Sequence, residues 1–217
     1  SLKTNPIVNK KTDKAKPEQK EKEEEGESLA QTAQKKGKPS KNHRPVLQDA
    51  QLWLAKTYIM RKNGIAASII LSQLKSEPGL YEEIRPEIPV LQAYNHIKQE
   101  EYTEAIPYLK EALETKGVSN KKKARLAFVL GQLSALQKDA VSSYEAFNKV
   151  SDFHPSYDLQ FFAKLNAAQQ GVVSGKAKKE DLLNDLKKLT RDEKNIEFGT
   201  AIYHSMALVH LADGNRE

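Results

Sequence analysis

No cysteine occurs in the 217 residues, which excludes disulfide frameworks, thiolate zinc sites and cysteine nucleophiles. Aromatic residues are 7% of the chain and none precedes Trp53, so the first quarter has nothing large with which to build a core. No apolar run approaches the roughly 18 residues of a membrane-spanning helix, and the opening Ser1-Leu2-Lys3-Thr4 has none of the apolar stretch of a secretory signal. The ten glycines form neither a GxGxxG string nor a GxxxxGK string, so no phosphate cradle is encoded. His43, His96, His154, His204 and His210 are scattered without an HExxH or Glu-x-x-His pattern, and no metal is expected. Carboxylate pairs such as Glu82-Glu83, Glu100-Glu101 and Glu180-Asp181 fall in turns or at helix starts, where the helix dipole favours them. No Ser/His/Asp spacing stands out either. A non-catalytic protein without a cofactor is therefore expected.

What is present is charge, unevenly placed. Residues 1–45 hold twelve Lys/Arg against seven Asp/Glu, a net of +5 out of the +6 of the whole chain. The basic excess belongs to this segment, which argues against a basic nucleic-acid-binding body. Its large aliphatics are Leu2, Ile7, Val8 and Leu29 alone, too few to offset the ordering entropy of the chain. Residues 1–45 are predicted to be a disordered Lys/Glu-rich leader or linker. The chain begins without Met and stops at Asp213-Gly214-Asn215-Arg216-Glu217, a string that normally opens a further helix, so a piece of a longer protein is expected.

From Pro45 onward the pattern becomes helical and repeats every 38 residues. Leu54-Ala55 recurs as Gln92-Ala93 and Leu130-Gly131, and Ala67 recurs as Ala105 and Ser143. Leu71 returns as Leu109 and Phe147, and Leu74 as Ala112 and Val150, at the same step. A small residue in the middle of each of two helices lets them approach closely, while the bulky ones fill the space between pairs. The unit is an antiparallel helix hairpin. Tyr157–Gln170 continues as a fourth first helix, Gly171–Lys179 as a loop, and Asp181–Thr190 as its partner with Leu182, Leu183, Leu186 and Leu189 facing inward. Ile202, Tyr203, Met206, Ala207 and His210 give a fifth first helix without a partner, expected to be poorly buried or stabilised from outside. His96 and His210 share the slot of Tyr58, which suggests packing between helices, and Trp53 reads as a core or capping residue.

This pattern resembles the tetratricopeptide repeat, with small residues in both helices and Pro78 and Pro155 near the closing position. The resemblance implies an all-α, right-handed helix-hairpin solenoid over residues 46–217, about four and a half repeats long. The repeats fall at approximately 47–78, 85–116, 122–155, 157–190 and, partially, 199–217. Such solenoids bind peptides or folded partners on the concave side, lined by the first helix of each hairpin (helix A). The helix A positions that project there are Lys56, Met60, Tyr94, Lys98, Arg125, Phe128 and Gln132. Together they make a mixed apolar and basic groove suited to an extended segment with acidic and apolar side chains. The same residues also fit ordinary helix surface, with Tyr94 and Phe128 packing on the adjacent repeat. The Lys/Asn arrangement of carboxylate-clamp repeats is missing. Lys121-Lys122-Lys123-Ala124-Arg125 reads as a solvated loop before the third hairpin.

Longer strings are similar to one family in particular. Ala50-Gln51-Leu52-Trp53-Leu54-Ala55-Lys56-Thr57-Tyr58, then Ala124-Arg125-Leu126-Ala127-Phe128-Val129-Leu130-Gly131-Gln132, then Pro155-Ser156-Tyr157-Asp158-Leu159-Gln160-Phe161-Phe162-Ala163-Lys164-Leu165-Asn166 look like the repeat region of the PorW/SprE family. Asp192-Glu193-Lys194-Asn195, Ile202-Tyr203, Met206-Ala207 and Gly214-Asn215 continue the likeness in order. These are lipoproteins of the type IX secretion and gliding machinery of Bacteroidota. The resemblance implies a periplasmic, outer-membrane-associated adaptor that links the outer-membrane translocon to other secretion components. The parent would be lipid-anchored, and no catalytic residue would be carried over. A generic peptide-binding tetratricopeptide module, serving a chaperone or an envelope-assembly complex, is the alternative. The leader before Pro45 is not a hallmark of the family.

Overall fold

The computed structural model describes residues 46–214, and side chains as far as Ala212; the predicted leader lies outside them. The described residues are all-helical: nine α-helices, two short 3-10 helices and no strand. In chain order they are α1 (Val46–Met60), α2 (Gly64–Ser76), α3 (Glu87–Lys98), α4 (Tyr102–Glu114), α5 (Asn120–Leu136), α6 (Ala140–Lys149), α7 (Tyr157–Ser174), α8 (Lys179–Thr190) and α9 (Gly199–Gly214). The 3-10 helices are Val150–Phe153 and Glu193–Phe198.

Three hairpins, α1–α2, α3–α4 and α5–α6, are closed by the same turn. Lys62, Glu100 and Lys138 all have positive φ, at 58°, 64° and 62°, and they stand 38 residues apart. The hydrogen bonds repeat with them. The amides of Lys62, Glu100 and Lys138 donate to Ile59, Ile97 and Ala135, and those of Asn63, Glu101 and Asp139 donate to Tyr58, His96 and Ser134. These bonds satisfy carbonyls that the end of each first helix leaves open. The next residue starts the second helix: Asn63 accepts from the Ala66 amide at 3.3 Å and Asp139 from the Ser142 amide at 3.0 Å. The hydroxyl and amide of Ser142 hold the Asp139 carboxyl below its ordinary value. A three-residue turn leaves two helices no course but antiparallel packing.

The seam of each hairpin is where the sequence placed it. Ala55, Ala93, Ala67, Ala105, Ser143, Leu71, Leu109, Phe147, Leu74, Ala112 and Val150 are all buried. In the third hairpin the small-on-small approach is direct, since Ser143 Oγ donates to the Gly131 carbonyl at 2.8 Å. A Cβ on Gly131 would stand 2.7 Å from the Phe147 ring. Only glycine fits under that ring.

Polar ties join one hairpin to the next. Gln48 is buried; its side-chain amide donates to the Gly79 carbonyl at 3.2 Å and its oxygen accepts from the Tyr81 amide at 3.1 Å, which fastens the connection between α2 and α3. Buried Asn95 donates to the Gly64 carbonyl at 3.1 Å and to Ser68 Oγ at 2.9 Å. Lys75 on α2 pairs with Glu111 on α4 at 2.7 Å. Glu87 at the start of α3 meets Lys56 of α1 at 3.9 Å and also Lys122 of α5, so one carboxylate ties its own helix to the A helices on either side. The basic string 121–125 thus forms the first turn of α5, with Ser119 as its cap, rather than a loop.

The last part departs from this regularity. Gly171 was expected to open a loop, yet α7 runs on to Ser174 and ends at Gly175, whose φ is 70°. Gly171 serves close packing instead, because a Cβ there would sit 3.0 Å from the Tyr144 ring. Helix α8 meets α7 over a short stretch only, and α9 packs against both. Tyr157 donates to Asn195 at 2.5 Å, and Asn195 donates to the Leu189 carbonyl at 2.9 Å, which pins the second 3-10 helix between α7 and α8. On α9 the buried stripe is Ile202, Ser205 and Val209, while Tyr203, Ala207 and His210 point away. The expected face was wrong for these three, since a helix apolar nearly all round gives periodicity no side to choose. His210 accordingly packs between no helices.

Candidate protein-binding face

The A helices α1, α3 and α5 carry the groove residues expected from sequence, and the structure divides them into three groups. The first is a cluster across α1 and α3. Tyr94 donates its hydroxyl to Met60 Sδ at 3.5 Å, and Lys98 lies 5.3 Å from the Tyr94 ring centre. A cation over a ring face is attracted by the ring quadrupole, which holds Lys98 against the surface. Lys56 is committed differently: it faces Glu87 and lies 4.7 Å from the Trp53 ring. The second group is Arg125 and Gln132, exposed on α5. The third is Phe128 alone. It is half-buried and makes a T-shaped ring contact with Phe147 at 5.4 Å, inside its own hairpin.

Between α3 and α5 lies a feature that helix projection does not give. The backbones of α1 and α3 come together, as do those of α5 and α7, whereas α3 and α5 stay further apart. The gap is a cleft of about 220 Å³ lined by Val90, Tyr94, Ile97, Leu126 and Val129, almost wholly carbon. Lys98 stands on the α3 helix beside Ile97, and Arg125 on α5 beside Leu126. Among the described residues neither cation meets a carboxylate. An apolar cleft with cations on both of the helices that line it, neither paired with a carboxylate among the described residues, offers a partner both burial and charge.

Trp53 and Leu136 also belong to this face and were missed. Trp53 is 65% exposed rather than core or cap, because Leu52, Ala55 and Ile59 take the buried side of α1. Its spacing of three and seven from Lys56 and Met60 was the signal that could have placed it. Leu136 is 60% exposed and stands 38 residues after Lys98. His96, by contrast, is a packing residue: it stacks on Tyr108 at 5.2 Å and its Nδ1 shares a hydrogen bond with Glu101 at 2.7 Å. Among the described residues no three His, Asp or Glu side chains gather to hold a metal ion, and no helix is long and apolar enough to cross a membrane. Comparison of the chain with protein-family models, curated proteins and solved structures finds no match.

Proposed function

We propose that this chain is a non-catalytic protein-interaction scaffold, an α-solenoid of the tetratricopeptide type with about four and a half helix hairpins. The threefold recurrence of one turn and one small-residue seam at 38 residues supports that architecture. The observation that carries the function is the carbon-lined cleft between α3 and α5, with Lys98 over the ring of its lining residue Tyr94 and Arg125 exposed on α5 next to its lining residue Leu126 in sequence. It suits a segment that offers a bulky apolar side chain with a carboxylate nearby. The resemblance of the strings given above to the PorW/SprE family supports a more particular reading: a periplasmic, outer-membrane-associated adaptor that joins the type IX translocon to other secretion components.

Immobilised chain exposed to solubilised Bacteroidota envelope should retain type IX secretion components, and a Lys98→Glu/Arg125→Glu variant should retain at most a tenth as much. Retention of no such component would remove the adaptor reading. Equal retention by both proteins would remove the cleft from it. The second reading is a generic peptide-binding module for a chaperone or envelope-assembly complex, favoured by the same cleft. It would be supported if short acidic-apolar peptides bound the chain, lost affinity on Lys98→Glu, and no secretion component were retained.

A further inference from the structure

Lys98 and Arg125 stand at opposite ends of the cleft between α3 and α5. The two helices start side by side. Glu87 in the first turn of α3 pairs with Lys122 in the first turn of α5. Gly117, just before α5, lies against Pro86, just before α3, where a Cβ would come within 2.7 Å of the proline ring. Starting together and lining one cleft, the helices run the same way. Lys98 is the last residue of α3, eleven after Glu87, whereas Arg125 is only three after Lys122. At ~1.5 Å of rise per residue the two cations are therefore roughly 12 Å apart along the helix direction.

Both stand on the faces that line the cleft, because residues four apart in a helix are neighbours on one face. Lys98 follows Tyr94 by four, and its ammonium lies 5.3 Å from the Tyr94 ring centre. Arg125 precedes Val129 by four, and Tyr94 and Val129 are both lining residues. Glu87 is committed to Lys56 and Lys122, while among the described residues Lys98 and Arg125 are paired with no carboxylate. The carbon-lined space between them, about 220 Å³, is smaller than the ~300–1,000 Å³ of pockets that enclose a whole small molecule. It suits a single bulky side chain that anchors a longer segment.

A cation, an apolar slot and a second cation in line have a simple complement. In extended chain, residues i, i+2 and i+4 point to one side, and at ~3.3 Å per residue the outer two are about 13 Å apart. Resting on the reading of this cleft as the site that holds partners, we propose that it selects an extended protein segment of the pattern acidic-x-apolar-x-acidic. The apolar side chain sits against Tyr94, Ile97 and Val129, and the two carboxylates face Lys98 and Arg125. Selection comes from the spacing, since a segment with both carboxylates on one side of its apolar residue reaches only one of the cations.

Two fluorescent peptides of equal composition and charge test this on the full chain: Ser-Glu-Ser-Leu-Ser-Glu-Ser and its isomer Ser-Glu-Glu-Ser-Leu-Ser-Ser. The first should bind about fivefold tighter or more, as two exposed ion pairs against one allow. The preference should vanish in Lys98→Glu and in Arg125→Glu, both at exposed positions where circular dichroism should show the helices intact. The doubly reversed chain should instead prefer Ser-Lys-Ser-Leu-Ser-Lys-Ser to the isomer Ser-Lys-Lys-Ser-Leu-Ser-Ser. A photoreactive residue at Val129 locates the bound peptide. Equal affinities for the two acidic peptides, with both crosslinked from Val129, would overturn the spacing and leave the cleft as the binding site. Bound peptide that gives no adduct from Val129, or a preference that survives both charge reversals, would overturn the proposal and the cleft together. Binding of neither peptide would overturn the proposal alone, because retention of envelope proteins tests the scaffold reading separately.

Discussion

The first three hairpins and the last three helices of this chain use similar residues to different ends. In α1 to α6 each turn within a hairpin has a positive-φ residue at the same position, and each seam has a small residue buried at the same step. In α7 to α9 the 38-residue register is lost, the next step of the seam falling on Gln169, Asp181, Asp185 and Lys188; α8 stands away from α7, and α9 takes a place beside both. A cleft of about 480 Å³ opens between α6, α7 and α8 as a result, with Leu182, Leu186 and Leu189 along one wall. The lesson is that a repeat is completed by what covers it. Ile59 and Leu211 stand four 38-residue steps apart, yet among the described residues Ile59 is buried and Leu211 is 65% exposed.

That contrast can be broken most sharply by truncation. Ile59→Ala should cost about 2–5 kcal/mol, while Leu211→Ala should stay within about 0.5 kcal/mol, as read by urea unfolding of both variants. Equal losses would mean that burial does not separate the two positions. Gly131→Ala should cost about 1–3 kcal/mol through collision with the Phe147 ring, whereas Ala207→Leu at an exposed position should be nearly neutral. Tyr157→Phe strands Asn195 and should cost about 1–2 kcal/mol, and hydrogen exchange should place the loosening at Glu193–Phe198 and α8, with α1 to α4 unaffected.

Much of the first region was legible because its signals are local and redundant. The pairs Ala55/Ala67, Ala93/Ala105 and Gly131/Ser143 announce close-packed seams. The cleft was not legible, since it arises from the separation of α3 and α5, and no residue type encodes a distance between helices. The Phe128 contact was not legible for a related reason. Phe128 projects on the same side of α5 as Gln132, yet its ring meets Phe147 of α6, which lies where a side chain on Gly131 would stand. Gly171 reads as a loop only when its neighbour Tyr144, 27 positions earlier, is unknown. Trp53 follows composition rules for a core residue, yet sits on a helix whose buried side was already full.

Smaller effects sharpen the comparison further. Replacing Lys62, Glu100 or Lys138 by Gly relieves a left-handed backbone and should stabilise by up to about 1 kcal/mol each in thermal melts, with no counterpart in the last region. Asp139 is the weakest lever. Its carboxyl is held below the ordinary value by Ser142, so its stabilisation is present above the unfolded-state value and lost as pH falls through the folded one. The stability difference between the unmodified chain and Asp139→Ala should therefore shrink on titration from neutral pH toward pH 3, and a difference that grows on acidification would reverse the assignment.

The central claim is that partners are held on the A helices at the cleft between α3 and α5. Its most direct measurement is photocrosslinking from a reactive residue placed at Val129, which lines the cleft, against one at Glu104, exposed on α4. With Bacteroidota envelope as the source of partners, Val129 should give adducts to type IX secretion components and Glu104 should give none. Adducts from Glu104 alone, or the same adducts from both positions, would contradict the account.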